Sequence, residues 1–148
     1  MTKADLKNFG RAAHAAELSD YQKTNVGCVA TYQGQVIGMG FNTNKTHPLQ
    51  KHYNAFRGIY EGHGDVRHKA HAEIMCLNQI KDIDIKRNKV KLYIYRKRKD
   101  IPHGISRPCP ACMAAIREFG IENIYYTTDN GFVHEILSET NSEKGVSE

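Results

Sequence analysis

The sequence predicts an α/β fold in which a mixed central sheet carries helices on both faces. Three observations support this fold class: an amphipathic N-terminal segment, a well-marked β-hairpin, and a later alternation of strand and helix patterns. The length of 148 residues suits one domain, and 40% hydrophobic with 25% charged residues is a globular composition. No apolar run could cross a membrane, and the polar N-terminus lacks the apolar core of a signal peptide. We therefore expect a cytoplasmic protein with no membrane partner.

The first half of the chain is predicted to form a helix and then a hairpin. Thr2 followed by Asp5 is a helix-capping pattern. The apolar face of this helix is predicted to consist of Leu6, Phe9, Ala13 and Ala16. Two apolar runs on either side of Gln33-Gly34 predict a β-hairpin over residues 26–41. Residues 42–69 break both patterns, and an insertion of this length is uncommon unless it is functional or contains a short helix.

The second half of the chain alternates between helix and strand. The segment at 70–80 is apolar nearly all round, which is typical of a helix buried against a sheet. The predicted elements are a helix at 70–80, a strand at 89–95, a helix at 109–119 between Pro108 and Gly120, and a strand at 121–127. We interpret residues 1–138 as a single domain and residues 139–148 as a flexible acidic tail.

Two short motifs concentrate the chemistry: His71-Ala72-Glu73 and Pro108-Cys109-Pro110-Ala111-Cys112. Cys-x-x-Cys at the start of a helix brings two sulfurs to one helix end, where the helix dipole favours the thiolates that zinc prefers. A redox pair or two core cysteines are the alternatives for this motif. His71 would supply a third ligand and leave a fourth position for water, as in catalytic zinc sites. The alternative is a structural site that takes its fourth ligand from another histidine.

Glu73 is the predicted catalytic residue. It lies two positions after His71, and both side chains can reach one site only if the helix begins near His71. A carboxylate there can accept a proton from an activated water and pass it to a leaving group. The alternative is a carboxylate that only orients a metal ligand. The other two cysteines, Cys28 and Cys76, fall in a predicted strand and helix and are interpreted as core residues.

The chain resembles the cytidine/deoxycytidylate deaminase superfamily of zinc-dependent nucleotide deaminases over about residues 10–128. The matching segments are VGCVATYQGQVIGMGFN, HAEIMCLNQ and PCPACMAAIREFGIENIYY. The resemblance implies a three-layer α/β/α sandwich with one Zn²⁺ per chain held between two helix N-termini. It implies that Asn42 hydrogen-bonds the substrate's sugar or base, and that the protein forms a homodimer or larger assembly.

The substrate is predicted to be a cytosine nucleotide or nucleoside, such as dCMP or CMP, converted to the uracil form with release of ammonia. The 28 residues between Asn42 and His71 resemble the insertions of deoxycytidylate deaminases more than the shorter connection of tRNA adenosine deaminases. The predicted substrate-binding residues are Asn42, Ala72, Asn44, Lys45 and His47.

Two other functions compete with this prediction. The first is a base deaminase acting on cytosine or adenine in single-stranded DNA or RNA. Residues 81–100 carry nine basic and three acidic side chains, which could follow a polynucleotide backbone or simply be solvated. The second is a non-catalytic binding module stabilised by zinc, for which Glu73 would have no purpose.

Overall fold

The computed structural model describes residues 1–20, 24–57, 69–98 and 105–138, and it contains a five-stranded sheet flanked by helices. The helices are α1 (Lys3–Ala16), α2 (Pro48–Tyr53), α3 (Ala72–Ile80) and α4 (Pro110–Glu118). The strands are β1 (Asn25–Tyr32), β2 (Gln35–Phe41), β3 (Lys91–Lys97), β4 (Asn123–Thr128) and β5 (Gly131–Ile136). Their spatial order is β2-β1-β3-β4-β5, with β3 and β4 parallel and the other neighbours antiparallel. The sheet is therefore mixed, as predicted.

The central strands send alternate side chains into two separate cores. Toward α1 they contribute Val29, Tyr93 and Tyr125. Toward α3 and α4 they contribute Cys28, Ala30, Leu92, Ile94 and Ile124. Helices thus cover both faces of the sheet, which confirms the three-layer α/β/α prediction. No helix in the described ranges is both long and apolar enough to cross a membrane.

Helix α1 begins with the predicted cap and buries Phe9 and Ala16 of the predicted face, but not Leu6. The Thr2 side chain accepts from the Asp5 N–H at 3.1 Å, and the Asp5 carboxylate accepts from the Thr2 N–H at 3.0 Å. Leu6, predicted to face the core, is 49% exposed, whereas Asp5 and Asn8 are buried. The helix is rotated from the predicted face because Tyr93 on β3 donates its hydroxyl to Asp5 Oδ1 at 2.6 Å. A buried polar contact therefore helps to set a face that hydrophobic spacing alone assigns only in part.

The β1–β2 hairpin closes at the predicted turn and lies tightly under α3. Gln33 and Gly34 have φ angles of 51° and 82°, the left-handed pair of a two-residue hairpin turn. At Gly40 a side chain would overlap the carbonyl oxygen of Ala72, so α3 contacts β2 where the strand lacks a Cβ atom. The hairpin therefore supports the N-terminal turn of α3 directly.

The predicted insertion at 42–69 is partly helical in its described residues. It contains α2 and a 3₁₀ turn over Asn54–Arg57, and it returns to α3 through a bridge between Thr46 and Lys69. Tyr53 is buried against the core beneath α3 and α4. The insertion thus contains a short helix, one of the two explanations considered for its length. Residues 58–68 lie outside the described ranges.

Strand β5 was not predicted. It pairs antiparallel with β4 through a turn at Asp129 and Asn130, and its side chains alternate between exposed and half-buried. The segment is short, and its apolar residues Phe132, Val133 and Ile136 do not alternate strictly with polar ones, so the sequence pattern does not mark it as a strand. The Asp-Asn-Gly turn at 129–131 was its one available signal. The predicted tail at 139–148 lies outside the described residues.

Candidate functional site

The N-termini of α3 and α4 meet at one edge of the sheet. His71 is the N-cap residue of α3 and Cys109 is the N-cap residue of α4, and both have extended backbone geometry. Neither side chain caps its own helix, although an N-cap side chain commonly does so. Cys112 lies in the first turn of α4. Three side chains suited to metal binding are thus directed between two helix ends.

These three side chains form a compact donor set. His71 Nδ1 lies 3.3 Å from Cys112 Sγ and 3.6 Å from Cys109 Sγ. All three ligand atoms lie within 4.8 Å of one another. One imidazole nitrogen and two sulfurs match the donors and the close spacing that zinc requires, with a fourth position left for a small molecule. The residues therefore fit a Zn²⁺ ion, and the predicted metal set is brought together.

The two thiols differ in acidity although they are neighbours. A hydrogen bond from Cys112 lowers the pKa of Cys109 to about 4; burial opposes this shift and His71 assists it. The hydrogen bond to Cys109, together with burial, raises the pKa of Cys112 well above its ordinary value. Cys109 is thus held as a thiolate at neutral pH, the form that binds zinc.

Glu73 lies in the first turn of α3 and is only 5% exposed. Burial raises the pKa of its carboxyl to about 7, and the attraction of His71 opposes this rise. The Cys112 side chain lies within hydrogen-bonding reach of the carboxyl group. Because His71 precedes the helix and has extended backbone geometry, the side chains of His71 and Glu73 reach the same site, although they are only two positions apart. A buried carboxyl beside metal donors can hold or release a proton near neutral pH.

Asn42 follows β2 and uses its amide to join two strands. Its Oδ1 accepts from the Val26 N–H at 2.9 Å, and its Nδ2 donates to the Thr24 carbonyl at 3.0 Å. These bonds tie the end of β2 to the beginning of β1. The predicted hydrogen bond between Asn42 and the substrate's sugar or base stays a prediction.

Of the other predicted substrate-binding residues, Asn44, Lys45 and His47 lie between β2 and α2, and Ala72 begins α3. Asn44 donates through Nδ2 to the Asp20 carbonyl at 2.8 Å, and His47 caps α2 by accepting from the Leu49 N–H at 3.0 Å. Lys45 is exposed, whereas Ala72 is fully buried. Their proposed contacts with substrate stay predictions.

Two sets of residues that hold the site were not predicted. Gln50 on α2 accepts the His71 N–H at 3.0 Å. Arg107, two residues before Cys109, donates to both carboxylate oxygens of Glu135 on β5 at 3.0 and 2.9 Å. Glu135 could not be identified as the partner of Arg107 because β5 was not predicted. A single glutamine in an insertion forms no motif that would mark Gln50 as a contact of His71.

The sequence and the fold were compared with known proteins. The family model described as the cytidine and deoxycytidylate deaminase zinc-binding region matches residues 3–128. Comparison with curated protein sequences gave no match.

Solved structures of several deaminases share the fold at low identity. The dCMP deaminase of cyanophage S-TIM5 in its apo form has a TM-score of 0.61 at 18% identity, covering 86% of both chains. A cytidine deaminase from Burkholderia pseudomallei has a TM-score of 0.60 at 16% identity, covering 94% of this chain and 95% of that one. A guanine deaminase from Bacillus subtilis has a TM-score of 0.51 at 18% identity, covering 86% of this chain and 65% of that one. The family model spans most of the chain, and the structure brings the His71, Cys109 and Cys112 donors together. The chain therefore belongs to the cytidine and deoxycytidylate deaminase zinc-binding family.

Proposed function

We propose that the protein hydrolytically deaminates a cytosine nucleotide, with a 5′-monophosphate such as CMP or dCMP as its preferred substrate. The observation that carries this proposal is the buried Glu73 carboxyl beside the His71, Cys109 and Cys112 donors. A purely structural zinc site gains nothing from burying a carboxyl group there, because an unneeded buried acid costs stability. The arrangement therefore favours a catalytic site.

The reaction replaces the exocyclic amino group of the base with oxygen from water. When bound, zinc would act as a Lewis acid that makes a water molecule a stronger nucleophile at neutral pH. Glu73 accepts a proton from the attacking water at a carboxylate oxygen and donates it to the ring nitrogen beside the reacting carbon. It then carries a second proton, taken from the hydroxyl group that has been added to that carbon, to the amino group; the C–N bond breaks, ammonia leaves and the hydroxyl oxygen becomes the carbonyl oxygen of uracil. Cytosine and water are thereby converted to uracil and ammonia.

Two lysines beside the site support a phosphorylated substrate. The Thr46–Lys69 bridge and the 3.0 Å bond from the Ala70 N–H to the Lys45 carbonyl bring the backbones of Lys45 and Lys69 together. Lys69 lies two residues before His71, and the backbone of Lys45 is hydrogen-bonded to Ala70, the residue immediately before His71. Lys69 Nζ also donates to Asn44 Oδ1 at 3.4 Å. Two lysines whose backbones lie beside the site favour an anionic ligand. The cyanophage dCMP deaminase has a structure in complex with dCMP and dUMP.

A polynucleotide substrate is the second candidate. Arg96 and Lys97 end the central strand β3, and Arg98 follows directly. This basic run lies at the end of the sheet where α3 and α4 begin. Lys97 is already 3.7 Å from Glu17, which reduces the charge available there. This surface could follow a phosphate backbone, so single-stranded oligonucleotides belong in the substrate test.

A substrate panel with matched lysine variants tests the proposal. Ammonia release is measured with dCMP, CMP, deoxycytidine, cytidine, guanine and a cytosine-containing oligonucleotide. We expect the monophosphates to react best, and Lys45→Gln to lower kcat/KM for CMP about tenfold while changing cytidine little. Lys89→Gln, an exposed lysine just before β3, is the control and should behave as the wild type. Reaction of the oligonucleotide alone would reject the free-nucleotide proposal.

A further inference from the structure

Gln50 is a fully buried polar residue on the short helix of the insertion. Its Oε1 accepts from the His71 N–H at 3.0 Å, and its Nε2 donates to Asn54 Oδ1 at 2.8 Å. Because a backbone N–H can only donate, the oxygen of the Gln50 amide must face His71. Asn54 is also fully buried and accepts the other end of the amide. The orientation of the Gln50 side chain is therefore fixed at both ends.

The bond from Gln50 fills a gap that the helix itself leaves open. The N–H of the residue that precedes a helix has no partner within the helix, and where it is capped locally the side chain three positions further on accepts from it. In α3 that position is Ile74, which has no acceptor, and the His71 side chain is directed to the thiols. The Gln50 amide reaches this terminus from outside and restrains the backbone at His71.

The backbone on either side of His71 is restrained as well. The Ala70 N–H donates to the Lys45 carbonyl, and the Thr43 N–H donates to the Ala70 carbonyl at 3.1 Å. The Met75 N–H then donates to the His71 carbonyl at 3.1 Å. Gln50 thus supplies the restraint at the peptide nitrogen of the ligand residue itself.

Helix α2 is also fastened to the second helix of the site. Tyr53 donates its hydroxyl to Glu118 Oε1 near the end of α4 at 3.1 Å, and its ring is 5% exposed. The same short helix therefore contacts α4 through Tyr53 and the start of α3 through Gln50. A movement of α2 would change the position of His71 relative to the cysteines.

We propose that Gln50 is a positioning residue of the metal centre. Through it the insertion keeps His71 Nδ1 close enough to the two sulfurs for all three atoms to bind one metal ion. This inference rests on the zinc site of the proposed function and goes beyond it, because it gives the insertion a task other than substrate contact. Partners that orient metal ligands typically contribute ten- to a hundredfold in metal affinity. The same magnitude is expected for Gln50.

Metal binding by glutamine variants tests this role without relying on activity. Gln50→Met keeps the size of the side chain but removes the oxygen that accepts from His71. We expect it to lower zinc affinity ten- to a hundredfold in chelator competition and to shift the absorption bands of the Co²⁺-loaded protein. The control is Gln79→Met, because Gln79 also accepts a backbone N–H, from Met39 at 2.9 Å, but at the far end of α3.

The outcomes separate a positioning role from a structural one. If Gln50→Met alters zinc affinity and the Co²⁺ spectrum and Gln79→Met, at an exposed position, alters neither, the positioning role is supported. Wild-type affinity and spectrum in Gln50→Met would overturn it. If that variant does not fold, Gln50→Asn, which withdraws the amide by one methylene, must show weakened affinity, and wild-type binding by it would equally overturn the role. Failure of the wild-type chain to bind zinc more tightly than Cys109→Ser would instead refute the metal centre itself.

Discussion

Replacing Glu73 with glutamine separates proton transfer from metal binding. The side chain is 5% exposed, so glutamine can occupy the same space with little change in packing. The amide cannot accept a proton at neutral pH, and the proposed shuttle is therefore lost. General acid–base catalysis typically contributes 10² to 10⁴ in rate, which corresponds to about 2.7 to 5.4 kcal/mol of transition-state stabilisation. We expect kcat/KM for the best substrate to fall by that factor.

The same substitution should leave zinc and folding intact. Glu73 is not among the three clustered donors, so the variant should retain one zinc per chain. Burying an amide costs less than burying a carboxylate, and the free energy of unfolding should not fall below that of the wild type. Activity and stability are thus expected to change independently, as they do where a buried polar group serves function.

Three measurements on one preparation decide the matter: ammonia release, zinc content and urea unfolding. Glu122→Gln is the control, because the contact from the Leu137 N–H goes to the Glu122 carbonyl and not to its carboxylate. If Glu73→Gln keeps its zinc and more than a tenth of wild-type activity, the carboxyl group is not the proton carrier. Loss of zinc together with activity would point to a role in metal binding.

Three further results are expected. Cys109→Ser should lose zinc while retaining its secondary structure, measured by metal analysis and circular dichroism; full zinc content would contradict the ligand assignment. Tyr93→Phe removes the hydroxyl that donates to buried Asp5 and should lower the free energy of unfolding by about 1 to 3 kcal/mol. Burial raises the pKa of Asp5, but hydrogen bonds from Tyr93 and Thr2 outweigh it and lower the pKa below its ordinary value of 3.8. This stabilisation is therefore present at neutral pH and is lost as pH falls through the lowered pKa; a deficit equally large at pH 2 would contradict the account. Glu135→Gln weakens a bidentate pair with Arg107 and the hydrogen bond that Glu135 accepts from the Tyr126 hydroxyl at 3.0 Å. Because the Glu135 side chain is only 15% exposed, urea unfolding should show a loss of about 1 to 3 kcal/mol, and an unchanged free energy of unfolding would refute that estimate.

The metal donors could be predicted because their arrangement is encoded locally. Cys109 and Cys112 are one helical turn apart, and His71 begins the other helix, so each motif carries its own geometry. The hairpin was equally accessible, since its turn residues and apolar alternation lie within one short segment.

The rest depends on contacts between distant positions. The buried face of α1 is set by a hydrogen bond between Asp5 and Tyr93, 88 positions apart, which no periodicity reveals. Strand β5 was missed because it is short and its apolar residues do not alternate strictly with polar ones, so only its pairing with β4 identifies it. Without it, the partner of Arg107 could not be identified.

The site is divided between two helices, and this division determines what must be held. The spacing of Cys109 and Cys112 is fixed by α4 alone, whereas the distance from either sulfur to His71 depends on how α3 and α4 are placed. The start of each helix is held by one hydrogen-bonded contact from another part of the chain, which we call a tie. Gln50 of the insertion binds His71 at the start of α3, and Glu135 of β5 binds Arg107 in the loop before α4. Loss of one tie therefore leaves the cysteine pair intact and displaces it relative to the histidine. Substitutions in either tie should thus weaken zinc binding without abolishing it, in contrast to substitution of a ligand.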